Sequence, residues 1–146
     1  MLTFHVSGRP AAQGSKRHVG NGRFIEASKY LPAWRQAVKE RAQALVIASD
    51  WEPTEGPVQL HVDFYLERPK SVPIHKRAFM VKAPDLDKLV RAVCDSLTDA
   101  EVWNDDSQVV RLIATKHYAD DVEPGCFIQV TRLSELDDSV GGSRLV

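Results

Sequence analysis

Cysteine is scarce in this chain, and nothing groups it. Cys94 and Cys126 are the only two. They lack the close spacing of a metal site and both fall in apolar patterns, so we read them as buried free thiols, which suits a reducing cytoplasm. Long hydrophobic runs are missing as well, and none approaches the roughly 20 residues that a membrane-spanning helix needs. The first residues, Met1-Leu2-Thr3-Phe4-His5-Val6, alternate like a strand instead of placing a basic segment before an apolar one, so no signal peptide is expected. Gly20-Asn21-Gly22 lacks the preceding strand and following helix of a phosphate-binding loop. No spacing suggests a Ser-His-Asp or Cys-His arrangement, and there is no internal repeat or low-complexity stretch. Membrane proteins, disulfide scaffolds, thiolate metal sites and nucleophilic triads are thereby set aside.

What is present looks ordinary in bulk and unusual in its arrangement. A length of 146 residues fits one domain able to bury most of its apolar surface, and 43% hydrophobic with 27% charged residues is typical of a globular chain. The net charge of −1 hides a segregation. Between Ser7 and Tyr30 stand Arg9, Lys16, Arg17, Arg23 and Lys29, against Glu26 alone. Between Arg68 and Lys82 stand Arg68, Lys70, Lys76, Arg77 and Lys82, with no acid. From Ala83 to Asp106 the sign reverses, with seven carboxylates against Lys88 and Arg91. Basic loops flanking an acidic cluster suit a polyanion held beside a metal ion; solvated loops of mixed charge are the plainer alternative.

Periodicity gives the outline. Leu2, Phe4 and Val6 share one face of a first strand. Residues 8–22 form a Gly-containing basic loop without apolar period. A helix starts near Lys29 with Pro32 in its first turn, where a missing N–H costs nothing, and Trp34, Ala37, Val38, Arg41, Ala42 and Leu45 recur at helical spacing. After a turn over residues 50–57, Val58, Leu60, Val62, Phe64 and Leu66 alternate strictly with polar residues, as in a half-buried strand. Leu86, Leu89, Val90, Val93, Cys94 and Leu97 mark a second helix. Two more strands are expected over about 108–116 and 126–132. The order βαβαββ predicts an α+β fold, a single domain with two helices packed on a mixed sheet, over residues 1–132, with 133–146 a polar tail.

The chemistry concentrates where Pro84-Asp85-Leu86-Asp87 opens the second helix and Trp103-Asn104-Asp105-Asp106 leads into the next strand. Gathered carboxylates repel one another, whereas Mg²⁺ or Mn²⁺ prefers oxygen ligands and leaves room for substrate phosphates. Each pair also has a structural explanation: Asp85 as a helix N-cap, Asp87 as a first-turn acid favoured by the macrodipole, and Asn104-Asp105-Asp106 as a turn. Asp87, Arg91 and Asp95 lie on one polar stripe, where Arg91 and Asp95 form an i, i+4 ion pair. His61 and Asp63 on the polar face of a strand, His18, His117, Tyr65 and Phe79 have bland readings as surface or core residues, with base stacking or phosphate contact the functional alternative.

The stretch from Pro84-Asp85-Leu86-Asp87 through Leu89-Val90-Arg91-Ala92-Val93-Cys94-Asp95-Ser96-Leu97 to Trp103-Asn104-Asp105-Asp106-Ser107-Gln108-Val109 resembles the RusA family of crossover (Holliday) junction endodeoxyribonucleases. The likeness extends weakly over most of residues 1–132. The resemblance implies a homodimer, common on phages and prophages, in the cytoplasm of a bacterial or phage-infected cell. It implies that a Mg²⁺ or Mn²⁺ site nicks two strands of a four-way DNA junction symmetrically. It places Asp85, Asp87 and Asp106 as catalytic metal ligands with Asp105 adjacent. Two departures accompany it. The family's helix lysine falls at Arg91, which keeps the charge but cannot trade a proton, and Lys88 stands where the family has Asn. Either Lys88 or Arg91 then supplies the positive charge at the scissile phosphate. Arg9, Lys16, Arg17, Arg23, Lys76 and Arg77 would track DNA backbone. Asp95 would orient Arg91, and Val72, Ile74, Phe79 and Met80 are candidates for the dimer interface. A branched-DNA-binding protein on the same fold, with weak or no catalysis, is the rival reading.

Overall fold

Strict alternation decides the centre of the molecule. Val58, Leu60, Val62 and Phe64 are fully buried, while Gln59, His61, Asp63 and Tyr65 between them stay half-buried on the opposite face. In the computed structural model this stretch is a central strand, here β4 (Val58–Leu66). Residues 1–14, 16–18, 20, 24–26, 28–76 and 79–133 are described, with backbone alone for 16–18, 24–26 and 76. Before β4 come β1 (Leu2–Ser7), β2 (Lys16–His18), β3 (Phe24–Glu26) and helix α1 (Leu31–Ala48). After it come helix α2 (Leu86–Asp99), β5 (Val109–Tyr118) and β6 (Gly125–Arg132).

The main sheet runs β1-β6-β4-β5. β1 pairs antiparallel with β6 and β6 antiparallel with β4, whereas β4 and β5 are parallel. Parallel neighbours need a crossover, and α2 supplies it. The expected α+β domain with two helices on a mixed sheet is therefore observed. The order differs from βαβαββ by a hairpin, β2 with β3, inside what the sequence offered only as a loop. Its strands pair three residues each, too few for alternation to reveal. Both helices pack on the face that carries Leu60, Val62 and Phe64. α1 brings Leu31, Trp34, Val38 and Ala42, and α2 brings Leu89, Val93 and Leu97. Truncating any of these large side chains to alanine costs about 2–5 kcal/mol.

Among the described residues the opposite face carries no helix. There the ring of His5 lies 5.5 Å from that of Phe127, His61 meets the same ring edge-on at 6.4 Å, and Tyr65 stacks on His117 at 5.3 Å. Where β6 begins, Gly125 has φ +153°, and a Cβ there would stand 2.1 Å from the Val6 carbonyl oxygen. Only glycine lets β1 and β6 pair at that point.

Other expectations shift by small amounts. Trp103-Asn104-Asp105-Asp106 does not open the strand directly. A 3₁₀ turn over Asp106–Gln108 comes first and β5 starts at Val109, because Asp105 caps that turn. Trp103 is buried and donates from Nε1 to Thr98 Oγ1 at 2.7 Å. Cys94 and Cys126 are free thiols, half-buried and buried. Leu133 is buried and its N–H donates to the Pro57 carbonyl at 2.9 Å; residues 134–146 of the expected tail lie outside the described residues. Among the described residues no helix is long and apolar enough to cross a membrane.

Candidate functional site

α2 begins where Pro84 restricts the residue before it, and Asp85 takes the extended N-cap position with φ −70° and ψ 137°. Its side chain makes no capping hydrogen bond. The backbone ahead of it is instead held from β5: Lys116 Nζ donates to the carbonyls of Lys82 at 2.8 Å and Pro84 at 2.9 Å. The exposed Asp85 carboxylate lies 3.4 Å from Lys88 Nζ, one turn on. Asp87 follows in the first turn, exposed. Unpaired N–H groups and the helix dipole make this end of α2 positive, which favours both acids here.

Beyond the other end of α2, the second acidic pair is built differently. Asp105 is a cap: its Oδ2 accepts from the Ser107 N–H at 2.9 Å, and hydrogen bonding from Ser107 holds its carboxyl below the usual carboxylate range. Gln108 completes the box. Its Oε1 accepts from the N–H groups of Asn104 and Asp105, each at 2.9 Å, and its Nε2 donates to the Thr54 and Gly56 carbonyls. Asp106 is exposed in the first turn of the 3₁₀ segment. Asp87 and Asp106 have in common that, among the described residues, neither carboxylate accepts a hydrogen bond or joins an ion pair.

Cys94 locates Asp106 relative to α2. Burial pushes its thiol up to about 12, and the charges of Asp106 and Asp95 add to the shift. Asp95 follows Cys94 directly in α2, and the charge of Asp106 reaches the same thiol from the turn after the helix. Among the described residues no three carboxylate, imidazole or thiol groups stand close enough together to hold a metal. Asp85 and Asp87 thus stand at the start of α2, Asp95 lies within it, and Asp106 follows it in the 3₁₀ turn before β5. The donors suit a hard cation, being exposed carboxylate oxygens, while a thiol as weakly acidic as Cys94 contributes no thiolate at neutral pH.

The expected Arg91–Asp95 ion pair is not formed among the described residues. Asp95 accepts instead from Gln13 Nε2, whose backbone N–H donates to the Lys88 carbonyl at 3.0 Å. This clip fastens the loop after β1 to the middle of α2. The Arg91 guanidinium lies against Gly14, where a Cβ would meet Nη1 at 2.9 Å and where φ is +96°. Arg91 also lines a cleft of about 420 Å³ together with Lys29 and Arg35. Lys88 and Arg91 are thus separated in role: Lys88 stands at Asp85, and Arg91 belongs to a basic cleft beside α1.

The basic stretches divide in a similar way. Arg9 stacks on the Tyr30 ring with Cζ 3.7 Å from its centroid. Arg68 is fixed in the fold, with Nε and Nη2 each 2.9 Å from the Asp120 carboxylate and Cζ 4.0 Å above the Tyr118 ring. The side chains of Lys16, Arg17 and Lys76, and all of Arg23 and Arg77, lie outside the described residues. His61, Asp63, Tyr65 and His117 lie on the uncovered face of the sheet: Asp63 Oδ1 accepts from Thr115 Oγ1 and stands 3.2 Å from His61 Nε2. They are on the far side of the sheet from α2. The sequence alone does not point to Lys116, Gln13 or Gln108 as supports of this region. Only Gln108 left a local signal, three residues after a capping Asp.

A sequence model described as endodeoxyribonuclease RusA matches residues 7–131. A curated protein of Bacillus subtilis (strain 168), "Uncharacterized protein YqaN", is 32% identical over 148 aligned positions, which cover 91% of this chain and 97% of the relative.

Proposed function

The chain belongs to the RusA endodeoxyribonuclease family, and on that premise we propose that it is a metal-dependent nuclease that resolves four-way (Holliday) DNA junctions by paired, symmetric nicks. The observation that carries the reading is the pair of exposed carboxylates, Asp87 and Asp106, which have no hydrogen-bond or ion-pair partner among the described residues and stand within the span of the family match. A binding-only protein gains nothing from free carboxylates beside a polyanion, since they repel phosphate.

Phosphodiester hydrolysis needs a nucleophilic water, an in-line approach, and neutralisation of the charge that builds on phosphate. A bound Mg²⁺ or Mn²⁺ supplies Lewis acidity and an activated water. Asp85, Asp87 and Asp106 would hold it. Asp87 and Asp106 are both exposed, so each side chain can turn towards a cation. Asp105 keeps its place as the cap that presents Asp106. Lys88, at 3.4 Å from Asp85, is the cation placed to stabilise charge on the phosphate. Arg91, with Lys29 and Arg35, grips backbone phosphate in the neighbouring cleft. Arg9 and the basic loops with Lys16, Arg17, Arg23, Lys76 and Arg77 extend that track.

Two copies act together in this reading. A four-way junction has approximate two-fold symmetry, and a closed dimer brings two equal sites to strands of like polarity. Exposed apolar residues support an interface: Ile74 and Phe79 in the connection before α2, and Val110, Leu112 and Ile113 on the edge strand β5. Val72 and Met80 instead line a cavity.

The test is a synthetic four-way junction incubated with the purified protein. Two symmetric nicks with Mg²⁺ or Mn²⁺, and none with excess chelator, are the expected result. Full cutting in chelator overturns the metal assignment. Tight junction binding without cutting under any divalent ion overturns the nuclease reading in favour of a binding protein.

A further inference from the structure

A cavity of about 1020 Å³ opens beside the start of α2. It is bounded by the end of β1, the end of β4 with the residues after it, and the segment 82–84 that leads into Asp85. That volume lies at the upper end of small-molecule sites, about 300–1,000 Å³. Leu66, Val72, Met80 and Tyr118 make its lining largely apolar, and the cations Arg9, Lys70 and Lys82 line it too, beside Arg68, which Asp120 already engages. A second cavity of about 340 Å³ shares Arg9, Leu66, Ala83 and Pro84 with the first and reaches Asp85 itself. The two spaces are therefore neighbours on either side of Arg9, whose side chain Tyr30 holds in place, and the smaller one touches the acidic start of α2.

Cations together with a largely apolar lining fit a nucleotide, whose phosphate meets the charge while its base meets the apolar part. Carboxylates decide between the two parts. Glu67 and Glu123 also border the larger cavity, and Glu123 accepts from Ser7 Oγ at 3.1 Å. A carboxylate is a poor neighbour for phosphate and a good acceptor for a base amine. Bases at a branch point have already lost a stacking neighbour, which lowers the cost of turning one out. We propose that the cavity between β1, β4 and the segment 82–84 receives one unstacked nucleobase of the DNA strand whose backbone passes Asp85, and so selects the nucleotide flanking the cut. The proposal rests on the nucleic-acid reading above for its ligand. It assigns base contact to this cavity and not to Tyr65, which is engaged with His117 on the far face of the sheet.

The test uses four-way junctions with 2-aminopurine at successive positions through the branch point, bound by the full chain with Ca²⁺ as the divalent ion. The fluorophore brightens when unstacked. Brightening at one position next to the branch point is expected with the wild-type protein. It should be lost in Val72→Phe, which fills the cavity, while junction affinity changes less. Ser71→Leu provides a second filler that cannot quench by stacking, and circular dichroism checks that each variant folds. Absence of brightening at every position, or brightening that persists in both folded variants, overturns the proposal. Cutting is scored separately. A protein that brightens the probe without cutting keeps the pocket and loses the nuclease, and one that cuts without brightening it keeps the nuclease and loses the pocket.

Discussion

The acids that open α2 and those that follow it look alike in sequence, each a close pair beside a regular element, but they are held in opposite ways. Behind α2 the cap is local: Asp105, Ser107 and Gln108 satisfy one another, and the Gln108 amide N–H groups then tie the turn to the Thr54 and Gly56 carbonyls. Ahead of α2 no side chain caps the helix, and the segment carrying Asp85 is fixed from outside by Lys116 of β5. One acidic position is thus locally encoded and the other depends on tertiary structure. That difference teaches where each is vulnerable.

The largest effect should come from the free carboxylates themselves. Asp87→Asn and Asp106→Asn should each lower single-turnover cutting of a four-way junction by on the order of 10²–10³-fold, the scale of losing one electrostatic contact to a transition state. Junction binding should hold or tighten as a repulsive charge disappears. Near wild-type cutting by Asp106→Asn would remove the position behind α2 from the site and break the comparison.

Anchors come next. Lys116→Met removes two charge-assisted hydrogen bonds to the segment before Asp85, so cutting should fall while urea unfolding shows only about 1–3 kcal/mol of destabilisation. Gln108→Ala should cost a similar amount of stability, because it strips partners from both sides of the turn before β5. Its loss of cutting should be the smaller, since Asp105 still caps the turn. If Gln108→Ala impairs cutting more than Lys116→Met does, the assignment of local and tertiary support is reversed.

The smallest effect concerns pH. The Asp105 carboxyl is held below its ordinary range in the fold by Ser107, so its stabilising contribution is present above the unfolded value of about 4 and is lost as pH falls through the lower folded value. The stability advantage of wild type over Asp105→Asn should shrink in that acidic window and stay flat at neutral pH. Chemical denaturation of both proteins across pH checks this, and an advantage that grows on acidification would refute the sign.

The same contrast explains what could be read from the residues alone. β4 and α2 announce themselves because their partners are one another's periodic faces: Val58 to Leu66 alternates and Leu89, Val93 and Leu97 recur at helical spacing. The acids were visible for the reason that like charges side by side need a cause. How each pair is held was not, because the anchors of the Asp85 segment and of the turn before β5 come from other parts of the chain. Gln13 and Lys116 were invisible for a related reason. An amide in a loop and a lysine in a strand choose partners only after the sheet exists. Arg68 shows the converse, since charge counting places it in a basic stretch, whereas Asp120 and Tyr118 hold it in the fold.

β5 serves both acidic positions at once. It starts at Val109, directly after the turn that presents Asp106, and near its end Lys116 grips the backbone ahead of Asp85. The strand is therefore a ruler, and its length is under a constraint that the neighbouring connections escape. Side chains alternate with a period of two, so a single residue inserted or deleted between Val109 and Lys116 would swing that lysine to the uncovered face of the sheet. Residues can be gained or lost after β4 or between β5 and β6 without disturbing this distance. Among relatives of this chain, length variation belongs in those connections, and β5 should keep its count.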